Sequence, residues 1–359
     1  MKQLIAIFSV LASSSPAELE LEQGTIYGEA DERVEIYRGI PYAQPPLGSL
    51  RWRPTVSLDS FDGLEQHINS CPQGYTDETE NEDCLTLNIF RPADLSENEI
   101  LPILIYFHGG GNQYGTSHDS LLDGSSTLAS TYRQIVVVAN FRLGIFGYMN
   151  YWDKEPTGGN YGLLDQQKVI EFIRQNAANL QGDKERITID GESAGAENVL
   201  YHLISPESSS MISSAIAQSG AYWWNWNPVS QTEQINQVIT ELCSRLDQCT
   251  VGESVVETID SLRLCDAESV FSTYDTMCDE NPMLYVPFYP VTKDGVFYKE
   301  DAREILNQCK SSFTGSAIIG GNSFEGSLLY YDGNPSDVFK PNQIRAVFAR
   351  LVGFERVPM

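Results

Sequence analysis

The fold of this chain is decided by residues 187–196, which read ITIDGESAGA. The first four residues form a short strand pattern, and a helical pattern begins at Ala196. Between them, residues 191–195 match G-x-S-x-G, in which a serine occupies a sharp turn from strand to helix. The tight turn requires small neighbours and a strained serine backbone, and it raises the hydroxyl above the sheet edge. The stretch therefore predicts Ser193 as a nucleophile beside the N-terminal amides of a helix.

A serine nucleophile also needs donors for the negative charge that develops on the substrate oxygen. Residues 108–111, HGGG, directly follow the apolar run 103–107. Glycines let the backbone approach a substrate closely and turn its N–H groups toward it. The pattern predicts Gly110, Gly111 and Ala194 as three backbone donors of an oxyanion hole. The alternative is an ordinary glycine-rich turn.

The nucleophile further needs a base, and the base needs an acid to orient it. Residues 320–327, GGNSFEGS, follow the apolar run 317–319, so Glu325 lies on a loop just past a predicted strand end. A carboxylate in that place suits the orienting role. The alternative is a solvated surface glutamate, as most carboxylates are.

Short apolar runs alternate with helical patterns along the chain. Runs 103–107, 135–138, 213–217 and 317–319 are typical of buried strands, and residues 164–180 carry apolar side chains at helical spacing. This alternation predicts an α/β fold with a central, mostly parallel sheet flanked by helices.

The net charge of −26 over 359 residues excludes nucleic acids and anionic membranes as favoured partners. No stretch after the N-terminus is apolar and long enough to form an integral membrane segment. Residues 1–17 combine Lys2, an apolar core at 4–11 and small residues at 12–17, so they are predicted to be a signal peptide of a secreted protein. The alternative is a buried N-terminal strand.

Seven cysteines fit an oxidising compartment, and their odd number leaves at least one unpaired within the chain. The spacing of Cys243, Cys249, Cys265 and Cys278 matches no zinc pattern and favours local disulfides. Their connectivity, and that of Cys309, stays open.

Several motifs occur in a fixed order along the chain. They are 39–43 GIPYA, 45–48 PPLG, 82–88 EDCLTLN, 108–111 HGGG, 140–144 NFRLG, 159–167 GNYGLLDQQ and 191–196 GESAGA. Together they resemble the type B carboxylesterases, the cholinesterase-like branch of the α/β-hydrolases, and the resemblance runs from about residue 20 to the end. Residues 18–359 are identified as the N-terminal two-thirds of such a domain.

The resemblance implies an ester hydrolase that forms an acyl-enzyme on Ser193, with Glu325 as the acid of a Ser-Glu-His triad. It implies a small-molecule or lipid ester as substrate, and the mechanism needs no metal or other cofactor. It also implies a disulfide between Cys71 and Cys84. The ion pairs it suggests are Arg51 with Glu82 and Arg142 with Asp165, and it places Glu192 near the base.

Two departures from the family pattern bear on the site. Asn112 stands where an aromatic residue commonly follows the three glycines. The segment from Cys71 to Cys84 contains no tryptophan, which cholinesterases use there to bind quaternary ammonium through its π face. Its absence argues against a true cholinesterase.

The third departure concerns the general base. In this fold the histidine follows the acid, yet His67, His108, His118 and His202 all precede Glu325. We therefore expect the final third of the family fold to be absent from this sequence, and the chain as given to be inactive. The alternatives are a cholinesterase-like binding or adhesion domain without catalysis, and a truncated, inactive product.

Overall fold

A computed structural model describes residues 15–62, 66–75, 78–119, 124–151, 158–220, 232–280, 290–291, 293–308 and 310–322. Within these ranges one sheet of nine strands runs in the order β1-β2-β3-β4-β6-β5-β7-β8-β9. The strands are β1 (Ser15–Leu21), β2 (Gly24–Ala30), β3 (Val34–Pro41), β4 (Thr86–Pro92), β5 (Leu101–Phe107), β6 (Ile135–Ala139), β7 (Gly182–Glu192), β8 (Ser214–Gln218) and β9 (Ser316–Gly320).

Helices connect the strands of the second half of the sheet and form a further layer. They are α1 (Gly124–Tyr132), α2 (Gly144–Tyr148), α3 (Tyr161–Asn176), α4 (Ala194–Ile204), α5 (Pro206–Ser209), α6 (Thr232–Arg245), α7 (Val255–Leu262), α8 (Ala267–Glu280) and α9 (Ala302–Asn307). A 3-10 turn spans Gly48–Leu50.

The sheet has two halves of different character. Strands β1 to β4 and β6 pair antiparallel with their neighbours, whereas β6, β5, β7, β8 and β9 run parallel. The parallel half is the α/β arrangement predicted from the alternation of runs, and it contains all five predicted strands, the one at 187–190 included. The sequence patterns did not identify the antiparallel half.

Strand β6 shows why the parallel half is so apolar. All five of its residues are buried, since helices cover both faces of a parallel sheet. Ile135 and Val137 belong to the main core, which includes side chains of α3 and α4. Val136 and Val138 face a smaller core with Ala129 of α1. The alternation follows from the two-residue period of a strand.

The predicted helix at 164–180 is α3, which spans Tyr161–Asn176. Ala177 and Leu180, included in the prediction, are buried just past its end. A separate apolar core joins α2 and α3 to α6, α7, α8 and α9. This helical layer was not predicted.

Cysteine pairing in the helical layer is simpler than the sequence suggested. Cys243 and Cys249 form a disulfide. Cys265 and Cys278 are free thiols, so the cluster provides one local bridge rather than two. Cys309 lies outside the described residues.

The outermost strands of the described sheet, β1 and β9, lie near the predicted signal segment and at the last predicted strand run. Strand β1 pairs with β2 from Ser15 onward, so the last residues of the predicted signal segment belong to the sheet, and residues 1–14 lie outside the described ranges. At the other edge Ile318 and Ile319 of β9 are 68% and 61% exposed. No helix in the described part of the chain is apolar and long enough to cross a membrane.

Candidate active site

Ser193 occupies the turn between β7 and α4. Its φ of 55° and ψ of −123° lie in a region that costs a non-glycine residue roughly 1–3 kcal/mol. The Ser193 N–H donates to the Gln218 carbonyl of β8 at 2.9 Å, and the Ser193 carbonyl accepts from Glu197 N at 3.0 Å. The strained backbone is thus held by hydrogen bonds from β8 and from the first turn of α4. We call this sharp strand-to-helix turn at Ser193 the elbow.

The glycines flanking the serine are required by close contacts. A Cβ added to Gly191 would lie 2.4 Å from the Gly195 carbonyl carbon. A Cβ on Gly195 would lie 2.1 Å from Phe107 O at the end of β5 and 2.8 Å from His108 O. All three contacts are with backbone atoms, which cannot rotate away as a side chain can. The G-x-S-x-G spacing therefore follows from the packing of the turn against itself and against β5.

The glycine loop lies directly beside the serine. A Cβ added to Gly109 would lie 3.3 Å from Ser193 Cβ and 2.9 Å from both Glu192 O and Glu192 Oε2. The neighbouring Gly110 and Gly111 have φ of 106° and 64°, values that favour glycine. The structure therefore brings the predicted donor loop and the predicted nucleophile together.

The orientation of the loop N–H groups follows from what holds their peptide units. In a trans peptide the C=O and the next N–H point in opposite directions. Gly109 O accepts from His108 Nδ1 at 2.8 Å. Gly110 O accepts from Gln113 N at 3.0 Å and Tyr114 N at 3.1 Å. The Gly110 N–H therefore points away from His108 Nδ1, and the Gly111 N–H points away from Gln113 N and Tyr114 N.

His108 is a neutral support of this loop. A carbonyl oxygen only accepts, so the contact with Gly109 O places the ring proton on Nδ1. Burial lowers the pKa of His108 from 6.5 to about 4, and the ring stacks on Phe141 with centroids 4.4 Å apart. His108 therefore orients the loop rather than exchanging protons with the serine.

The other histidines are engaged elsewhere. His202 contacts Ser208 Oγ through Nδ1 at 2.9 Å and Gln166 Oε1 through Nε2 at 3.0 Å, and burial lowers its pKa to about 3. His67 Nε2 lies 3.2 Å from Asp83. His118 Nδ1 lies 3.2 Å from the Asn88 amide, and mainly burial lowers its pKa to about 4. None of these contacts involves Ser193.

The carboxyl ends of the parallel strands meet at one edge of the sheet. The glycine loop follows β5, Ser193 follows β7, and Ser219 follows β8. Ser219 N donates to Gly320 O at the end of β9 at 2.7 Å, which ties the β8 and β9 ends together. The chain is described as far as Asn322 on this edge, and Glu325 lies outside the described residues.

Three predicted supports are present around the site. Arg51 pairs with Glu82 through two bonds and Arg142 pairs with Asp165 through two more, both pairs being buried. A disulfide joins Cys71 and Cys84. Tyr75, inside that disulfide loop, packs edge-on against Phe271 of α8.

One part of the site was missed by sequence reasoning. Asn112 appeared only as a departure from the family pattern, but its side chain pairs with Asn198 of α4 and contacts the Tyr148 hydroxyl. No local motif joins residues 86 positions apart. Among the residues that the structure describes, no group of His, Cys, Asp or Glu is arranged to hold a metal ion.

Comparisons with known proteins agree with this geometry. The profile described as "Carboxylesterase family" matches residues 15–351. Mouse "Cholinesterase" is 32% identical over 319 residues, which cover 84% of this chain and 52% of the mouse protein. Mouse "Liver carboxylesterase 1" is 31% identical over 360 residues, which cover 90% of this chain and 61% of that protein. "Para-nitrobenzyl esterase" of Bacillus subtilis is 30% identical over 349 residues, which cover 92% of this chain and 67% of that protein.

A solved structure titled "PNB esterase" superposes with a TM-score of 0.76 at 26% sequence identity. It covers 94% of this chain, and the match covers 69% of the solved chain. The chain thus spans about half to three-fifths of the length of the two mouse relatives.

Proposed function

Because the chain belongs to the carboxylesterase family, we propose that the protein hydrolyses carboxylic esters with Ser193 as its nucleophile. The observation that carries this proposal is the strained Ser193 at the β7–α4 turn with a glycine loop packed against it. This arrangement pairs a raised hydroxyl with backbone donors, which is the requirement of acyl transfer.

The reaction proceeds in two displacements. The base takes the proton from Ser193 Oγ as the oxygen attacks the ester carbonyl carbon. The carbonyl oxygen becomes an oxyanion, which accepts from the N–H groups of Gly110, Gly111 and Ala194. Collapse expels the alcohol, which takes the proton from the base, and leaves an acyl group on Ser193. Water then attacks with the same base, so that the acid leaves and the serine is restored.

The base in this proposal is a histidine outside residues 1–359. All four histidines of the sequence precede Glu325. His67, His118 and His202 contact Asp83, Asn88, and Ser208 with Gln166, respectively, and none of these partners is Ser193. His108 fixes Gly109 and has a pKa of about 4. A histidine outside these residues would complete the triad with Ser193 and Glu325.

Glu325 is proposed as the acid of the triad. It follows β9, whose last carbonyl binds Ser219 beside the strand end that holds Ser193. Glu325 comes shortly after Asn322 in the sequence, and Asn322 follows β9. This sequence position, just past a strand that ends beside Ser219, supports the orienting role.

The substrate in this proposal is a small-molecule or lipid ester in an extracellular setting. Two disulfides, Cys71–Cys84 and Cys243–Cys249, support an oxidising compartment. The high negative charge of −26 supports solubility at a cell exterior rather than binding to nucleic acid.

The test is turnover by the full-length protein purified from its natural source, assayed on p-nitrophenyl acetate and p-nitrophenyl butyrate. Intact mass of the same sample reports whether the polypeptide continues past Met359. Recombinant full-length Ser193→Ala should lose about 10³-fold or more in kcat, while Ser244→Ala, an exposed serine on α6, should match wild type. A folded full-length protein without turnover would contradict the proposal and favour a non-catalytic binding domain.

A further inference from the structure

The side chains of Asn112 and Asn198 form a reciprocal amide pair. Asn198 Nδ2 donates to Asn112 Oδ1 at 2.8 Å, and Asn112 Nδ2 donates to Asn198 Oδ1 at 3.4 Å. The Tyr148 hydroxyl donates to the same Asn112 Oδ1 at 3.3 Å. All three side chains are buried, with exposed fractions of 1%, 0% and 0% for Asn112, Asn198 and Tyr148.

Each amide of the pair depends on the other for its hydrogen bond. Each buried amide that loses its partner costs about 1–3 kcal/mol, and no solvent is available to replace the partner. Donor and acceptor therefore fix each other in both distance and orientation. A buried polar network that is fully satisfied specifies one conformation of the segments it joins.

The segments joined here are the two that carry the oxyanion donors. Asn112 directly follows Gly111 and continues the left-handed backbone of the loop with a φ of 58°. Its carbonyl accepts from Gly144 N at 2.7 Å, so both its backbone and its side chain are anchored. Asn198 lies on α4, the helix that begins at Ala194 and is capped by Ser193.

We propose that the Asn112–Asn198 pair is a positioning device that holds the glycine loop in register with α4. The pair fixes the N–H groups of Gly110 and Gly111 relative to the N–H of Ala194, so that all three converge on one oxygen. This inference rests on the proposed ester hydrolysis for its catalytic consequence, but the register of the loop is measurable without turnover.

The expected effect on kcat follows from how closely the donors of an oxyanion hole must approach the oxyanion. Donors act when they lie about 2.7–3.1 Å from the developing oxyanion, and the loss of one donor costs about 10²–10³ in kcat. Loosening the loop without deleting a donor should cost less, about 10- to 100-fold in kcat. Neither asparagine contacts the substrate in this proposal, so KM should stay within about threefold.

Two variants break the pair from opposite sides. Asn112→Gly deletes the amide and keeps the left-handed backbone available, since glycine adopts positive φ without strain. Asn198→Ala deletes the partner without touching the loop. The matched control is Asn176→Ala on α3, which removes an equally buried amide bonded to Gln23 and Phe172, far along the sequence from the loop.

The experiment measures kcat and KM of the full-length protein on p-nitrophenyl acetate, together with amide hydrogen exchange. The exchange probes are Gln113 N–H and Tyr114 N–H, which donate to Gly110 O and are protected only while the loop keeps its conformation. Both pair variants should lose about 10- to 100-fold in kcat and exchange faster at these two amides. Asn176→Ala should be destabilised to a similar extent yet keep its kcat and its loop exchange.

Two results would overturn the proposal. One is a kcat within about twofold of wild type in both pair variants; the other is an equal loss in Asn176→Ala, which would indicate a merely structural effect. If the wild-type protein has no turnover, the proposed ester hydrolysis fails, but the positioning role of the pair can still be tested by amide exchange. Unchanged exchange at Gln113 and Tyr114 in the pair variants would refute the positioning role, and faster exchange in those variants alone would support it.

Discussion

Gly195→Ala is the substitution that most directly tests how the elbow is packed. Its new Cβ would lie 2.1 Å from Phe107 O, whereas real Cβ atoms essentially never approach within 3.0 Å. Both atoms are fixed to backbone, so the start of α4 must move away from β5 by about 1 Å. That movement carries Ala194 N–H, a proposed oxyanion donor, away from the glycine loop.

The magnitude follows from two opposing effects. Overpacking a tight contact costs about 1–3 kcal/mol, and replacing glycine by alanine in a helix returns at most about 1 kcal/mol. We expect a net loss of about 1–2 kcal/mol in the free energy of unfolding. A displacement near 1 Å should also reduce kcat by about 10²-fold.

The assay combines urea unfolding with p-nitrophenyl ester turnover by the full-length protein. Gly124→Ala is the matched control, because no atom lies within 4 Å of a Cβ at that position of α1. It should keep its kcat and gain up to about 1 kcal/mol of stability. Wild-type stability and kcat in Gly195→Ala would refute the packing account of the elbow.

Three further predictions concern stability, each measured as a shift in the urea unfolding midpoint. Cys71→Ser opens a disulfide of sequence separation 13 and should cost about 3 kcal/mol. Arg142→Met leaves the Asp165 carboxylate buried without its cation and should cost about 3–5 kcal/mol, whereas Lys299→Met breaks an exposed pair and should leave the unfolding midpoint almost unchanged. His202, whose pKa burial lowers from 6.5 to about 3, stabilises the fold above pH 6.5, and this stability is lost as the pH falls toward 3. His202→Asn should flatten that pH dependence by up to about 1.4 kcal/mol per pH unit.

Each of these has a result that would contradict it. An unfolding midpoint in Cys71→Ser equal to that of the oxidised wild type would contradict the first. Equal losses in the arginine and lysine variants would contradict the second. An unchanged pH slope in His202→Asn would contradict the neutral, buried state of that ring.

The local parts of the site could be predicted from the sequence because their geometry is encoded in adjacent residues. The elbow needs small residues on both sides of Ser193, and the contacts of Gly191 and Gly195 give the reason. The glycine loop likewise needs positive φ at Gly110 and Gly111. Strand runs such as 135–138 were recognisable because helices bury both of their faces.

The parts that could not be predicted depend on residues brought together by the fold. The Asn112–Asn198 pair joins positions 86 apart, and only the packing of the loop on α4 makes them partners. The antiparallel half of the sheet shows the same limit, since its strands carry charged and polar residues whose pairing is set by their neighbours. The bridge between Cys243 and Cys249 could not be distinguished from the other pairings for the same reason.

The most direct test of the central claim is covalent labelling of the full-length natural protein with a fluorophosphonate, followed by peptide mass spectrometry. The account predicts one phosphonyl adduct per chain on Ser193, abolished in Ser193→Ala and retained in Ser244→Ala. Absence of an adduct on a protein that unfolds cooperatively, or an adduct on another serine, would contradict the claim that Ser193 is an activated nucleophile.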